Sequence, residues 1–398
     1  MLDRAPDLPP VIVVEQTTNG WRGLTEEGEI LNVAGNAEPP LNSNIELTRN
    51  GEVIGYRTLP KEVRLDVIET YLRHYNAAIT ALRANDAEQA LVEIELALNV
   101  AQTTRARFNR AMILLSLGDW IDGFEEFAEC EQSCDVFMRP NYRAAIECGL
   151  KPWKGENIAG KRLLLVHDHG FGDTIMMLRW VSVLQKMGAQ VMLLLPPELH
   201  RLATQCAPVT ANSMRVLDPD YFCSLLMVMR ALRVAPEDIP LQPYLKVNPA
   251  LVEKWRQCIG TSARKRIGVA WSIGKHHDGD YPRAAPLTEF VEALGRDDVE
   301  LHSVQLQGKA EALLLDVAHH HFDDFADCAA FMSLMDEIVS IDTAAVHLAG
   351  AIGHPKVTLL LSRWASWRWL SPLYRDIRIC QQDAFGDWAS AFAKRIER

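Results

Sequence analysis

The first segment with residue types suited to chemistry is a glycine-containing loop at 167–173. Gly170 and Gly172 have no Cβ, so the backbone here can come close to a ligand. Asp173 stands at the start of a predicted helix, and the loop follows the apolar run 162–166, which predicts a buried strand. Ligands bind at the carboxyl ends of strands in open α/β sheets, so Asp173 is a candidate to act on a ligand. The alternative is that its carboxylate only caps the helix.

A second candidate site is the point where the apolar run 337–341 turns directly into a helix. The first turn of a helix exposes unpaired N–H groups and the positive end of the helix dipole, which together favour an anion such as a diphosphate. This turn carries Asp342, Thr343 and Ala344, and Thr343 adds a hydroxyl. His347 lies four residues after Thr343, on the same side of the helix. The alternative is an ordinary capped helix that happens to contain a histidine.

The sequence predicts no metal site. Asp278 and Asp280 form an Asp-Gly-Asp motif, but it lies in a polar loop and not at a strand end, which indicates a solvated turn. The adjacent histidines 319–321 cannot all face one ion, so they predict a surface turn. None of the eight cysteines forms a Cys-x-x-Cys pair, and we expect them to be free thiols in a reducing cytoplasm.

The overall charge and hydropathy exclude several classes of protein. The 41 Lys and Arg against 52 Asp and Glu give a net charge of −11, so no general attraction to nucleic acid or anionic lipid is expected. No run reaches the ~18 apolar residues of a transmembrane helix, and the first residues lack the apolar core of a signal peptide. With 48% hydrophobic and 23% charged residues, the composition is typical of a soluble globular protein.

Alternating strands and helices position both candidate segments. The run 162–166, a helical pattern from Thr174 to Met187 and the run 190–195 form a strand–helix–strand unit, which is typical of a parallel sheet. A second series of this kind starts at 266 and ends at 361. We therefore predict an α/β fold with two domains of this class, at 151–248 and 249–398.

Two further segments precede these domains. Residues 1–60 predict a small β-rich domain, because Asn19-Gly20 and Asn50-Gly51 follow apolar runs and favour hairpin turns. Residues 61–150 are helical and contain a repeat with a period of 33, in which Ala78, Leu82, Asn85, Asp86, Ala90, Ile94 and Ala97 recur as Ala111, Leu115, Gly118, Asp119, Gly123, Phe127 and Cys130.

This helix-turn-helix pattern resembles the tetratricopeptide repeat. Two such units are fewer than the ~3 that a free-standing solenoid needs, so the block must bury one face against its neighbours. It either docks a protein partner or serves as a helical spacer.

Eight short motifs, in their order and spacing, resemble bacterial tetratricopeptide-linked glycosyltransferases. Those proteins are similar to glycosyltransferase family 9, the ADP-heptose:lipopolysaccharide heptosyltransferases. The motifs lie at 152–156, 160–164, 169–175, 268–271, 281–287, 324–327, 340–350 and 367–370. The likeness extends from about residue 75 to 395, and residues 1–60 have no counterpart in it.

The resemblance implies a GT-B fold, in which the two α/β domains are Rossmann-like and face each other across a cleft. It also implies inverting transfer of a sugar from a nucleotide-diphosphate sugar without a metal ion. On its motifs, Asp173 matches the proposed catalytic base, and Asp342, Thr343, Ala344 and His347 match the donor-diphosphate segment. Arg283 stands where the family has a basic residue near the phosphates, and Lys275 competes for that role. These residue types suit the chemistry, since a carboxylate can take the acceptor proton and positive charge can stabilise the leaving diphosphate.

We therefore expect a cytoplasmic glycosyltransferase with no cofactor beyond its donor, a nucleotide sugar for which ADP-heptose is one candidate. The acceptor is expected to be a glycan or a protein, with a further protein partner bound through the helical repeats. The main alternative is a binding or scaffold protein that keeps the architecture but transfers nothing. A third, an NAD-dependent dehydrogenase, is disfavoured because Ile175 occupies the third glycine position of the dinucleotide fingerprint.

Overall fold

The computed structural model describes five strands within residues 11–58, and residues 65–133, 139–210, 214–273, 283–305 and 309–396. The chain divides into two compact units, 1–138 and 139–398. The first unit holds an antiparallel sheet and four helices, and the second holds two parallel sheets with their helices. The bounds of the four predicted domains stay a prediction.

The sheet of the first unit is antiparallel, with the strand order β3-β2-β1-β4-β5. Its strands are β1 (Val11–Thr17), β2 (Gly20–Thr25), β3 (Ile30–Val33), β4 (Ser43–Leu47) and β5 (Val53–Thr58). Thr17 pairs with Gly20, and Leu47 pairs with Val53. Both predicted hairpins are therefore confirmed, as β1–β2 and β4–β5.

The repeat with a period of 33 forms two helical hairpins. Their helices are α1 (Leu65–Arg83), α2 (Ala87–Val100), α3 (Thr104–Ser116) and α4 (Trp120–Ser133). Asn85 and Gly118, equivalent in the repeat, both close a turn with positive φ (62° and 85°), the backbone region that Asn and Gly tolerate best. Ala78, Ala90 and Ala111 are fully buried, as close helix packing requires. The helix-turn-helix repeat is confirmed, and its assignment to the tetratricopeptide class stays a prediction.

The first parallel sheet of the second unit has the strand order β8-β7-β6-β9. The elements around it are α5 (Pro140–Glu147), β6 (Arg162–Val166), α6 (Phe171–Met177), α7 (Val181–Lys186), β7 (Gln190–Leu194), α8 (His200–Ala203), β8 (Val209–Thr210), α9 (Met214–Leu217), β9 (Tyr221–Ser224) and α10 (Val228–Ala231). Short 3₁₀ turns occupy Leu178–Trp180, Pro197–Leu199 and Pro236–Asp238. The buried run 163–166 forms the interior of β6, as its apolar sequence predicts.

The second parallel sheet has the order β11-β10-β12-β13-β14. Its elements are α11 (Pro249–Ile259), β10 (Lys265–Ala270), α12 (Leu287–Leu294), β11 (Val299–Ser303), α13 (Lys309–Leu314), α14 (Phe325–Met332), β12 (Glu337–Ile341), α15 (Ala344–Ala351), β13 (Val357–Leu361), a 3₁₀ turn at Trp367–Trp369, β14 (Ile377–Gln381) and α16 (Trp388–Ile396). The chain is thus a mixed α/β protein with two parallel sheets, and its α/β class is confirmed.

The helix after β6 differs from the prediction of one helix over Thr174–Met187. It begins earlier, at Phe171, because Gly170 is the extended N-cap, and it ends at Met177. A 3₁₀ turn follows, in which Arg179 Nε donates to the carbonyl of Met176 at 2.9 Å, before α7 resumes. Side chains three residues apart share a face in both helix types, so the apolar pattern hides the break.

A buried carboxylate ties together the elements around the central strand of the second sheet. Glu337 is the first residue of β12, and its side chain is 1% exposed. It accepts from Lys265 Nζ at 2.6 Å and from Arg395 Nη2 at 2.7 Å, and Lys356 Nζ lies 3.1 Å away. Burial raises the pKa of the Glu337 carboxyl, but these three cations outweigh it and hold the pKa below its usual range. Glu337 therefore links β10, β12, α16 and the turn before β13.

Two sequence expectations concern the whole chain. Seven of the eight cysteines lie among the described residues, and all seven are free thiols, as predicted. Within the described ranges, no helix is long and apolar enough to cross a membrane.

Candidate functional site

The structure brings the two candidate segments together at the N-termini of α6 and α15. A Cβ placed on Gly172 would lie 2.8 Å from Cδ2 of His347 and 3.5 Å from Cα of Ala344. The first distance is shorter than real Cβ contacts, so a side chain at position 172 would force the two helices apart. Glycine here allows helix contact, and its predicted role in approaching a ligand stays a prediction.

Asp173 is the carboxylate at this junction. Its Oδ1 accepts from Nε of Arg368 at 2.7 Å and from Nη2 at 2.5 Å. Among the described residues, Oδ2 receives no hydrogen bond, and the side chain is 18% exposed. The N-cap of α6 is Gly170, which has no capping side chain, and Asp173 caps nothing. The alternative that Asp173 serves only as a helix cap is therefore wrong.

The groups around Asp173 keep its carboxyl group ionised. Burial alone would raise the pKa of the Asp173 carboxyl, but the guanidinium of Arg368 lowers it below the usual range. Asp173 also lies in the first turn of α6, where the helix dipole favours a negative charge. The carboxylate is ionised at neutral pH, which is the state that a general base needs.

Sequence reasoning missed Arg368, which lies 195 residues from Asp173. It belongs to the 3₁₀ turn after β13, where Ser366 Oγ accepts from its Nη1 at 3.1 Å and its guanidinium lies 4.6 Å from the centre of the Trp367 ring. Trp367 and Trp369, on either side of Arg368, are each 5% exposed and pack in the interior. The sequence signals for Arg368 are its position between two tryptophans and its place in the motif at 367–370.

Thr343 is the N-cap of α15. Its Oγ1 accepts from the backbone N–H of Ala345 at 3.3 Å and lies 3.3 Å from the hydroxyl of Ser340. Thr343 therefore caps α15, and its predicted role at a diphosphate stays a prediction. Thr343 and Ala344 are only half-buried, so the first turn of α15 stays partly open to a ligand. A capping hydroxyl can still donate its own proton, so capping does not prevent a second role.

Arg283 and Asp342 pair beside this helix start. Nη1 of Arg283 donates to Oδ2 of Asp342 at 3.4 Å, a long bond, and the Asp342 side chain is 8% exposed. Nε of Arg283 is buried and has no hydrogen-bond partner in the described part of the chain. Arg283 therefore lies next to the predicted diphosphate segment with unused donor capacity. Its predicted competitor Lys275 lies outside the described residues, as do Asp278 and Asp280.

His347 is buried behind the first turn of α15. Its Nδ1 is 2.9 Å from the hydroxyl of Tyr374, its Nε2 is 4.0 Å from Oδ1 of Asp342, and its ring stacks on Trp369 with centroids 4.9 Å apart. Burial lowers the pKa of the imidazole to about 4. His347 is therefore neutral at physiological pH and adds no positive charge to an anion site.

The neutral His347 makes folding sensitive to acid. Its pKa of about 4 in the folded chain is below the 6.5 of an unperturbed histidine, so the unfolded chain binds more protons between these values. The free energy of unfolding then rises with pH across this window and falls by about 3 kcal/mol on acidification through it. We expect His347→Gln to reduce the slope of thermal stability against pH between 4 and 6.5, while other buried histidines such as His169 and His320, whose pKa values burial lowers to about 3 and about 4, maintain the rest of the slope.

The matched control for this pH dependence is His321→Gln, because the side chain of His321 is 91% exposed. We expect the control to follow the native protein at every pH. A native pH dependence in His347→Gln would show that His347 is not the group responsible.

The other predicted clusters lie elsewhere. Of the three adjacent histidines, His320 packs on Phe331 with ring centroids 4.6 Å apart, whereas His321 points to solvent. Within the described residues, no group of three or more His, Cys, Asp or Glu is placed to hold a metal ion. A cavity of about 490 Å³, lined among others by Arg201, Lys246 and Asn248, contains none of the predicted site residues.

Comparison with known proteins gives distant relatives. No protein-family model matches the chain. The chain is 23% identical over 364 residues to Protein FlbA of Caulobacter vibrioides; the match covers 79% of this chain and 59% of that protein, so the chain spans little more than half the length of this curated relative.

Two solved structures are also similar to the chain. A glycosyl transferase family 9 protein from Veillonella parvula matches 57% of this chain and 88% of its own, with 11% identity and a TM-score of 0.42. ADP-heptose lps heptosyltransferase II of E. coli matches 59% of this chain and 98% of its own, with 13% identity and a TM-score of 0.43.

Proposed function

We propose that the chain is a glycosyltransferase that moves a sugar from a nucleoside-diphosphate sugar to a hydroxyl acceptor. The observation that carries this proposal is the meeting of an ionised carboxylate, Asp173, with the capped N-terminus of α15 and the guanidinium of Arg283. Asp173 can act as a base, and the N-terminus of α15 together with Arg283 can act as an anion site at the same junction. Inverting transfer from a nucleotide sugar requires both, on opposite sides of the reacting carbon.

In the proposed reaction the acceptor oxygen attacks the anomeric carbon of the sugar, and Asp173 Oδ2 takes the acceptor proton. The bond from the anomeric carbon to the diphosphate oxygen breaks, and the nucleoside diphosphate leaves with the electron pair. One displacement inverts the anomeric configuration. The charge that develops on the leaving group is stabilised by Arg283 and the N–H groups of the first turn of α15, so the step needs no metal ion.

His347 has a different part in this proposal from the one that the sequence suggests. Because it is neutral, it positions the junction through Gly172 and Asp342 and does not neutralise phosphate. For the helical repeats of the first unit, we propose that they hold a protein or glycan acceptor or a protein partner.

One observation favours the alternative of a binding or scaffold protein that transfers nothing. Both carboxylates of the junction are already paired, Asp173 with Arg368 and Asp342 with Arg283. Such pairing could be purely structural. The two pairs differ in strength, however, because Arg368 makes two short bonds to Asp173, whereas Arg283 makes one long bond and keeps an unpaired donor.

Nucleotide binding separates these functions. We expect one of ADP, UDP, GDP or ADP-heptose to raise the thermal midpoint by several degrees, since a ligand at about 100 times its Kd stabilises by about 2.7 kcal/mol. The nucleobase of the stabilising ligand then decides which nucleotide sugar is tested. The assay measures release of nucleoside diphosphate from that sugar, with water as acceptor. Binding without release favours the scaffold, a shift with NAD alone favours the dehydrogenase, and no shift in a folded sample contradicts a donor site.

The role of Arg283 is tested by donor affinity. We expect Arg283→Gln to raise the Kd of the stabilising nucleoside diphosphate by roughly 10- to 100-fold, because a charged hydrogen bond worth about 1.5–3 kcal/mol is lost. The unpaired Asp342 would add repulsion. Calorimetric titration at one fixed ionic strength measures the change.

Arg201→Gln is the matched control for the Arg283 variant, since Arg201 pairs with Asp324 outside the junction. We expect its Kd to stay within threefold of the native value. An unchanged Kd in Arg283→Gln would remove Arg283 from the donor site.

A further inference from the structure

Arg179 is a buried cation with no carboxylate partner among the described residues. Its side chain is 2% exposed, and it lies in the 3₁₀ turn that ends α6. Burying a guanidinium is unfavourable unless other groups compensate its charge. The groups that compensate this charge are therefore informative about the role of Arg179.

Carbonyl groups and aromatic rings supply the compensation. Arg179 Nε donates to the carbonyl of Met176 at 2.9 Å, and Nη1 donates to the carbonyl of Leu373 at 2.7 Å. Its guanidinium lies 5.0 Å from the centre of the Tyr244 ring and 4.7 Å from that of Tyr374. The carbonyls at a helix C-terminus and the faces of aromatic rings both attract a cation.

Both tyrosines connect Arg179 to α15. The hydroxyl of Tyr244 donates to the carbonyl of Ile175 in α6 at 3.0 Å, and the backbone N–H of Tyr244 donates to Ala351, the last residue of α15, at 3.1 Å. The hydroxyl of Tyr374 is 2.9 Å from Nδ1 of His347 in the first turn of α15. The Tyr374 ring lies against Gly350, where a Cβ would come within 2.5 Å of it.

The two helices are therefore held at two points. Their N-termini touch at Gly172 and His347, and the Arg179–Tyr244–Tyr374 cluster joins the end of α6 to both ends of α15. Two points of contact fix the direction of one helix relative to another, whereas a single point allows rotation. Asp173 lies on α6, and the proposed diphosphate site lies on α15.

We propose that Arg179 is a positioning residue that sets the place of the Asp173 carboxylate relative to the N-terminus of α15. This inference rests on the proposed function, in which these two groups act on opposite sides of the reacting carbon. Arg179 acts through Tyr244 and Tyr374 and touches neither substrate. A base displaced by about 1 Å loses on the order of 10²-fold in rate, whereas a donor bound by Arg283 and Thr343 is unaffected by the place of α6.

The test is a split between kcat and KM in the full-length chain. With release of nucleoside diphosphate from the preferred nucleotide sugar as the assay, we expect Arg179→Met to lower kcat by roughly 100-fold and to change the donor KM by less than threefold. Arg179→Lys keeps the positive charge but lacks the planar guanidinium group, and we expect it to lower kcat less than Arg179→Met does. Lys186→Met, on the exposed face of the next helix, is the control and should keep the native kcat.

Two further measurements separate the outcomes. Tyr244→Phe keeps the ring but removes the bond to Ile175, and it replaces Arg179→Met if that variant does not fold; we expect a loss of kcat of about tenfold with unchanged KM. Amide exchange should be faster in α6 of Arg179→Met while β13 exchanges at the native rate. If the native protein is active and both variants keep its kcat, the positioning role is wrong but the proposed function stands. A native protein that binds nucleotide but releases none would overturn the proposed function and this role with it.

Discussion

Replacing Asp173 with Asn should lower kcat for nucleoside diphosphate release by about 10²–10⁴-fold, because an amide cannot accept the acceptor proton. Asn has nearly the same size and keeps one oxygen to accept from Arg368, so the junction of α6 and α15 should stay closed. The donor Kd should change by less than threefold, since Arg283 and Thr343 are untouched. The measurement is kcat and donor Kd on the same folded sample, with circular dichroism to confirm folding.

The matched control is Asp168→Asn in the same loop. Oδ1 of Asp168 accepts from the backbone N–H groups of Asn141 at 2.9 Å and Tyr142 at 3.3 Å, at the start of α5, and the amide oxygen of Asn can accept both. Burial raises the pKa of Asp168 to about 6, although the two N–H groups lower it. We expect this variant to keep kcat within threefold. The reverse pattern, with Asp168→Asn inactive and Asp173→Asn active, would identify Asp168 as the base.

The largest effect on stability is expected at Glu337. Glu337→Gln removes the charge that compensates Lys265, Lys356 and Arg395, and Arg395 is only 12% exposed. Breaking a buried ion pair by removing one partner costs about 3–5 kcal/mol, because the remaining charge stays buried without compensation. At about 2–4 °C per kcal/mol for a unit of this size, the thermal midpoint of the second unit should fall by roughly 10 °C.

The pH dependence separates the ion pairs of Glu337 from its packing. The pKa of Glu337 is lowered in the folded chain, so its contribution to stability is present above the pKa of an unfolded glutamate, about 4.3, and is lost as pH falls through the folded value. The difference between native protein and variant should therefore be largest at neutral pH and shrink in acid. Glu292→Gln, on the exposed side of α12, should stay within about 0.5 kcal/mol of the native protein. A constant difference at all pH values would assign the loss to packing.

Much of the fold follows from local patterns in the sequence. The apolar runs that became β6, β7, β10, β12 and β13 are short and uninterrupted, as strands buried on both faces are. The repeat predicts four helices because its small residues, Ala78 and Ala111 among them, recur where helices cross. The break at Leu178–Trp180 was not predictable in this way, since it depends on a hydrogen bond from Arg179 to Leu373, a residue 194 positions away.

The candidate site was predictable only in part, for a related reason. Asp173 and Thr343 stand at strand ends, where a local pattern marks them, and parallel sheets present such ends on one edge. Arg368 lies in a 3₁₀ turn with no periodic signal, and its pairing with Asp173 exists only after two sheets have been assembled. The neutrality of His347 is equally non-local, because it results from burial under Trp369 and Tyr374 and not from its neighbours in sequence.

The contact of Gly172 with His347 has a mechanical consequence. Because the Arg179–Tyr244–Tyr374 cluster joins α6 and α15 at a second point, one parallel sheet can turn relative to the other only about the line through the two contacts. Asp173 and Thr343 are adjacent to the first contact and lie near that line, whereas the pair of Arg201 with Asp324 joins the same two halves through other helices, α8 and the start of α14. The junction thus acts as a hinge axis, and a rotation about it changes the spacing of the reactive groups least.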